Sequence, residues 1–476
     1  MIDRQQPIPL YFQLKTLLLE SILRGEYGPG DRLPTEHEFC ERFGISRTPV
    51  IRALTELAEE GVVLRHRRRG TFVNPHWIPR RSGLREVRIV VPEGPWEPML
   101  RQATPDDIEI NVVTVPRPDL HRVVTHAVAE GQAPDLAVID SVWIAELASA
   151  GFLLPLEELD ERWVREELET DFLEPLVEAG RYHARTFGVS SVADVAGLWY
   201  RRRELERVGA EPPETWQQLR SAARALAANG LPHPFVFPGG SRGGETTTYC
   251  LLSFLGSNGV TVLGADGVGL ASKKAGQALT FLRDLVAEGL APTDVVAYEW
   301  DQPARIFARG EAAFSLGGSY EARWIAETLG APVEELFEHV GFTAVPAGPS
   351  GASASLAGTM MYGVFRQAGN PKLAMRVLKA VVAPDVLVRI AAATGRIPPR
   401  RSAIALAAPT SPLVSLTAAI LAGAATRPAT PLYPRVSAQL QVMLEAVLTR
   451  RLSPAAAASR AAEIIAGITG APLADA

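Results

Sequence analysis

Residues 46–73 read S-R-T-P-V-I-R-A-L-T-E-L-A-E-E-G-V-V-L-R-H-R-R-R-G-T-F-V, a stretch that admits few folds. Ser46 suits a helix N-cap, and Pro49 falls in the first turn, where a missing N–H costs little. Val50, Ala53, Leu54 and Leu57 recur at helical spacing, and Gly61 is placed to stop the helix. Two short β-type runs then flank Arg65, His66, Arg67, Arg68 and Arg69. The expectation is a recognition helix followed by a basic, Gly-tipped β-ribbon. Ser, Arg and Thr in a first helical turn can present donors to base edges and phosphates. On charge and spacing alone, an ordinary helix with a solvated basic hairpin fits the same residues.

The residues before this stretch supply its partners. Residues 10–25 predict an amphipathic helix with Leu10, Leu14, Leu17, Leu18 and Ile22 inward, ended by Gly25. Residues 27–31, Y-G-P-G-D, are turn chemistry. Thr35 with Glu38 forms a capping-box pattern that opens a second helix. Phe43-Gly44-Ile45 is a tight turn before Ser46. Helix, helix, turn, helix and ribbon is the order of a winged helix-turn-helix. The chain carries a net charge of −5, against indiscriminate nucleic-acid binding. Yet residues 44–73 hold six Arg and only three acids, a focused patch of the kind that reads DNA.

Several motifs now point to one family. P-L-Y-F-Q-L lies at 9–14, G-E-Y-G-P-G-D-R-L-P-T-E at 25–36, F-G-I-S-R-T-P-V at 43–50 and R-G-T-F-V at 69–73. In this order, residues 7–75 resemble the DNA-binding domain of the GntR family of bacterial transcription regulators. The resemblance implies that Arg32 binds a phosphate at the start of the second helix. It implies that Ser46, Arg47 and Thr48 contact bases and phosphates, and that Arg69, Gly70 and Thr71 enter the minor groove. The family pattern has Arg where this chain has Ile51, and the nearest Arg here, Arg52, lies about 100° further round the helix. Arg52 is a candidate substitute for it. Arg68, in the run before Gly70, is a candidate phosphate contact that would steepen salt dependence.

At 476 residues the chain exceeds a typical single core, so further domains are expected. Residues 74–86 hold two prolines, Gly, Ser and no periodicity, and 76–86 read as a linker. Residues 87–476 then alternate strands and helices: strands at 87–91, 108–115 and 135–140, and a helix at 119–131. This rhythm predicts a largely parallel sheet flanked by helices, with ligands at the carboxyl ends of strands.

The second region also carries a family likeness. G-Q-A-P-D-L-A-V-I-D-S-V-W spans 131–143, A-G-F-L-L-P-L 150–156, F-A-R-G-E-A-A-F-S-L-G-G-S-Y 307–320 and A-T-G-R-I-P-P-R-R-S-A 393–403. With neighbouring motifs these resemble family 1 extracellular solute-binding proteins, the sugar receptors of ABC importers. The resemblance implies an α/β, two-lobe, periplasmic-binding-protein-like (type II) domain. Lobe one is expected at about 87–194 and 355–396, lobe two at about 195–346 and 397–470. It also implies ligand positions at Trp96, Asp140, Trp143, Asp194 and Tyr320. Tyr249, Thr359 and Arg396 are further polar or aromatic candidates. The run before Asp194 departs from the family's, with Ser191 and Val192 where an aromatic and a first acid stand, which bears on sugar preference.

These readings converge on a one-component regulator that binds operator DNA and senses a small solute, a sugar or oligosaccharide, in its C-terminal domain. A homodimer on a palindromic operator follows from half-site logic. The opening M-I-D-R-Q-Q-P has no apolar h-region, and no run of about 18 apolar residues occurs, so a cytoplasmic protein without membrane partners is expected. Cys40 and Cys250, far apart, are expected as reduced core residues. No metal-spaced cluster, cofactor motif or catalytic triad is evident, so neither cofactor nor enzyme activity is expected. Two alternatives differ in kind. One is an aminotransferase-like half, which needs a pyridoxal-binding lysine from among Lys273, Lys274, Lys372 and Lys379. The other is a DNA-anchored scaffold that binds no ligand.

Overall fold

In the computed structural model, the described residues are Ile2, 9–23, 26–66, 69–75 and 86–474. The chain forms two compact units. The first comprises Met1–Arg165, Gly180–Val189 and Met361–Ala383, and the second Glu166–Ala179, Ser190–Met360 and Pro384–Ala476. Expected linker residues 76–85 lie outside the described residues, and Glu86 already begins a strand.

The first unit opens with a three-helix head: α1 (Leu10–Leu23), α2 (Glu36–Phe43) and α3 (Arg47–Glu59). The strands β1 (Val63–His66) and β2 (Gly70–Val73) form an antiparallel ribbon pairing Val63 with Val73 and His66 with Gly70. Thr35 and Glu38 make the expected capping box, and Gly44 closes α2 in the left-handed region at φ 63°. Val50, Ala53, Leu54 and Leu57 of α3 are all buried, as their spacing predicts. They meet Leu14, Leu18, Leu19 and Ile22 of α1 in one core. At 3.6 residues per turn, this is the face an amphipathic helix must bury.

The rest of the first unit is α/β. Strand β3 (Glu86–Pro92) pairs in parallel with β4 (Glu109–Val115) and with β5 (Leu136–Asp140). Helix α4 (Trp96–Ala103) follows β3, and α5 (Leu120–Ala129) follows β4. Both pack on β3, and Leu100 of α4, Leu120, Val124 and Val128 of α5, and Val87, Ile89 and Val91 of β3 are all buried. Such parallel crossovers leave the carboxyl ends of β3 and β5 open to carry polar residues.

The second unit is built on the strand Val189–Arg201, buried along nearly its whole length. Phe314–Gly318 and Val340–Thr343 pair with it antiparallel, and Phe235–Val236 runs parallel to Phe314–Gly318. Trp216 stacks on Phe254 at 4.6 Å within its core. The unit boundaries depart from the expected lobes. Asp194, residues 355–360 and 384–396 belong to the second unit, which also takes 166–179. The reason is continuity: Val189–Arg201 enters the second unit at its start rather than its middle, and the helix Pro384–Thr394 packs on Arg401–Ala407. Cys40 and Cys250 are both free thiols. No helix among the described residues is long and apolar enough to cross a membrane.

Candidate functional site

The head gathers most of its predicted residues on one exposed surface. Ser46, Arg47 and Thr48 are exposed at the start of α3. Ser46 occupies the N-cap position, but its side chain makes no capping bond, so its hydroxyl stays available to a partner. The side chain of Arg47 is 74% exposed and reaches Glu36 at 2.8 Å. Arg65 of β1 reaches the other oxygen of Glu36 at 2.6 Å and donates to Thr55 at 2.9 Å. Glu36 thus gathers two arginines between α2 and the ribbon, where a phosphate could displace it. Arg65 was visible in the sequence only as one more basic residue. Its tie to Glu36, 29 residues away, was not.

Arg32 sits beside the wing tip. It bridges Phe72 in antiparallel fashion, and its guanidinium lies alongside Gly70. Arg69 is exposed at the tip, and Arg68 lies outside the described residues. Two expectations change here. Thr71 is buried at 9%, because alternation along β2 puts it on the inward face with Val73. It supports the wing through its carbonyl, which accepts from the Leu33 N–H at 2.9 Å. Arg52 turns to α1: its guanidinium lies 3.6 Å from the centre of the Tyr11 ring, donates to the Tyr11 hydroxyl and pairs with Glu56 at 3.1 Å. Ile51 stands 38% exposed where the family pattern has Arg.

In the first unit, the candidate solute residues follow strand ends as the topology requires. Asp140 ends β5, caps the next turn through the Val142 N–H at 3.2 Å, and meets Arg117 at 3.4 Å. Trp143 is half-buried, its ring 5.0 Å from that of His121. Trp96, expected to offer an aromatic face, is only 4% exposed at the head of α4 and serves packing.

The second unit brings four of its five candidates into one cluster. The Asp194 carboxylate, 6% exposed, accepts from Arg396 at 2.5 Å and from the Tyr249 hydroxyl at 3.1 Å. The approach is close enough to demand a glycine, since a Cβ on Gly358 would stand 2.1 Å from the Asp194 Oδ1. Arg396 also lies 5.7 Å from the Tyr320 ring centre, and Tyr320 is 6.5 Å from Tyr249. Tyr249, 2% exposed and packed on Ala196 and Leu356, holds Asp194 through its hydroxyl. Burial, reinforced by Asp194, pushes its phenol well above the ordinary range and keeps it a donor.

Thr359 does not join this cluster. Its hydroxyl donates to the Val192 carbonyl at 2.8 Å and lies 2.5 Å from the Ser190 hydroxyl, so it ties neighbouring strands together. Two groups the sequence did not single out complete the surroundings. Arg427 packs 4.8 Å from the Tyr249 ring centre and pairs with Glu245 at 2.8 Å, which also accepts from Tyr433 at 2.7 Å. Glu321 is buried beside Tyr320, and burial raises its carboxyl to about 8. Nothing in G-G-S-Y-E marks that glutamate as buried, because its neighbours arrive from Trp199 and Asp194.

Two family models match the chain. Residues 96–387 match the bacterial extracellular solute-binding proteins, and residues 10–73 match the bacterial regulatory proteins of the gntR family. The first match displaces an aminotransferase-like second half. A protein of Brucella abortus described as a binding protein is 24% identical over 311 residues, 63% of this chain and 72% of that one. The HTH-type transcriptional repressor NagR of Bacillus subtilis is 47% identical over 73 residues, 15% of this chain and 30% of that one. Among solved structures, maltose-bound MalE3 of T. maritima superposes with a TM-score of 0.69 at 26% identity, covering 80% of this chain and 99% of that one.

Proposed function

Because the chain belongs to the bacterial extracellular solute-binding protein family and carries a gntR-type winged helix at its N-terminal end, we propose that it is a solute-responsive transcription regulator. The head binds operator DNA and the two-lobe domain binds the effector. One observation carries the reading: a gntR-type head with Ser46, Arg47 and Thr48 exposed and a polar cluster around Asp194 stand on one chain. Its place of action is the cytoplasm, where DNA is. Its working form is a homodimer, since two heads on a palindrome read both half-sites. It performs no chemistry on its solute.

The charges of the second-unit cluster favour a neutral, hydroxyl-rich solute such as a sugar. Arg396 balances Asp194 and Arg427 balances Glu245, while burial holds Glu321 protonated at neutral pH. An ionic solute would find no unmatched countercharge. A carbohydrate offers many hydroxyls to carboxylates and arginines, and C–H faces to Tyr320. The maltose held by the T. maritima structure makes maltose the first compound to try.

The test starts from duplexes selected out of a random library by the full chain. Titration should saturate at one dimer per selected duplex, and saturation at one monomer per half-site would remove the dimer. A calorimetric screen of maltose, other oligosaccharides, sugar phosphates and polyols should give at least one binder that changes duplex affinity. Binding of DNA with no response to any solute would favour a DNA-anchored scaffold.

A further inference from the structure

Helix α5 touches both working ends of the first unit. At its start lie candidate solute residues. Arg117, three residues before it, meets Asp140 at 3.4 Å. The ring of His121 lies 5.0 Å from Trp143, and its Nε2 is 3.0 Å from Glu146.

At its other end α5 meets the head. Gly131, just past the helix at φ 69°, lies so close to α1 that a Cβ there would stand 2.7 Å from the Leu19 Cδ2. The left-handed backbone favours glycine here, and any larger residue would also have to displace the Leu19 side chain. The Phe12 ring of α1 adds a contact to Phe152 at 6.2 Å.

The consequence shows in α1 itself. The outermost helix of a free-standing three-helix head would keep a polar stripe in water. Here no side chain from residue 10 to 22 is exposed, and the polar Gln13, Lys15, Thr16 and Glu20 are all 6% exposed or less. Helix α1 is enclosed between the head core and the α/β part of the same unit. From there it grips the recognition helix: Lys15 pairs with Glu56 and Glu60, and Tyr11 carries Arg52. Burial raises the Glu60 carboxyl, Lys15 opposes this, and Glu130 at the end of α5 adds to the rise.

We infer that α5 is the mechanical link from the solute residues to the DNA-reading head, with Trp143–His121 as its input and Gly131–Leu19 as its output. This rests on the regulator reading above. Ten residues of helix span about 15 Å, and a close-packed helix moves as a body rather than absorbing a shift. A displaced Trp143 presses on His121, α5 moves, and Leu19 carries α1 and α3 with it. Adjacency alone is not coupling, so the test reads coupling directly.

The full chain is compared with Leu19→Ala and Phe12→Ala. In scanning calorimetry the head of the parent should unfold together with the α/β part of its unit, and each variant should release the head as a separate, lower transition. A head that already unfolds separately in the parent overturns the inference. Hydrogen exchange is then read with and without a selected duplex. In the parent, DNA should slow exchange across residues 120–131 by about threefold or more, by reciprocity of linkage. In the variants that protection should vanish while duplex affinity stays within about threefold. DNA that leaves residues 120–131 of the parent unchanged, or protection that survives both variants, overturns it. Leu19 also lies in the head core, so if Leu19→Ala does not fold, the half-buried Phe12→Ala carries the comparison. If no duplex is selected, the regulator reading fails while calorimetry still decides the link.

Discussion

The exposed face of the head around Arg47 and the Asp194 cluster of the second unit are both polar, but their polar groups are matched in different ways. On the head, Ser46 makes no capping bond, and Arg47, its side chain 74% exposed, is matched through a solvent-facing pair with Glu36 that an incoming anion can replace. In the cluster, Asp194 already accepts from Arg396 and Tyr249 and is 6% exposed. A polyanion brings its own acceptors, so donors meant for it can wait in water at little cost. A small solute must find a preorganised site, and a carboxylate taken out of water needs partners whether or not solute is present. Substitutions should therefore separate the two surfaces: stability lost at the cluster, affinity lost at the head.

The largest effect is expected at Asp194. Asp194→Ala leaves the Arg396 guanidinium and the Tyr249 hydroxyl without their acceptor in a site that excludes most water. Removing one member of a buried pair typically costs about 3–5 kcal/mol. Chemical denaturation of the full chain should show that loss in the second-unit transition alone. A loss below about 1 kcal/mol would mean the pair is as loose as an exposed one, and the contrast with the head would collapse.

Glu321 sharpens the same contrast through pH. Its folded carboxyl sits at about 8, above its ordinary value of 4.5, so the folded state holds a proton that the unfolded state has released. Its contribution to stability is complete below pH 4.5, declines as pH rises, and is gone above about pH 8. The slope within that window is about 1.4 kcal/mol per pH unit from this one group. Melting curves between pH 5 and 9 should fall for the parent and be flatter for Glu321→Gln. Equal slopes would show that Glu321 is hydrated.

At the head the effect should move from stability to binding. Arg47→Ala removes an exposed side chain, so the melting curve should hardly change. If Arg47 reads a base, its loss costs about 1–3 kcal/mol of discrimination, roughly fivefold to a hundredfold in preference for the selected duplex. Arg68→Ala, a phosphate contact by its place in the basic run, should instead weaken all duplexes alike and lower the salt slope by about one. A changed sequence preference in Arg68→Ala would reverse that division.

These two regions also differ in how much of them the sequence discloses. The capping box of Thr35 and Glu38, the stop at Gly61 and the buried stripe of α3 follow from neighbours within a turn or two, so the head is legible almost residue by residue. The parallel strands of the first unit are legible for the same reason. The cluster is not. Thr359 looks like a free hydroxyl until Val192, 167 residues away, takes its hydrogen bond. Glu321 looks solvated until Trp199 and Asp194 close over it. Even in the head, Thr71 changes role because strand alternation turns it inward, which the motif R-G-T-F-V does not state.

Arg52 gives the smallest effect and the finest test. Its sequence position suggests a displaced base reader, whereas its geometry is that of a cation over the Tyr11 ring, with Glu56 one turn away. Such an exposed contact is worth about 0.5–1 kcal/mol. Arg52→Ala should therefore lower stability by that amount and leave the preferred duplex unchanged, where Arg47→Ala does the reverse. Tyr11→Phe should reproduce only part of the loss, since it keeps the ring and removes the hydroxyl that Arg52 donates to. Selection from a random library with the Arg52→Ala chain decides the matter. An altered consensus would mean that Arg52 leaves Tyr11 on binding and reads a base. The boundary between groups that hold the head together and groups that read DNA would then run through α3 itself, not along its edge.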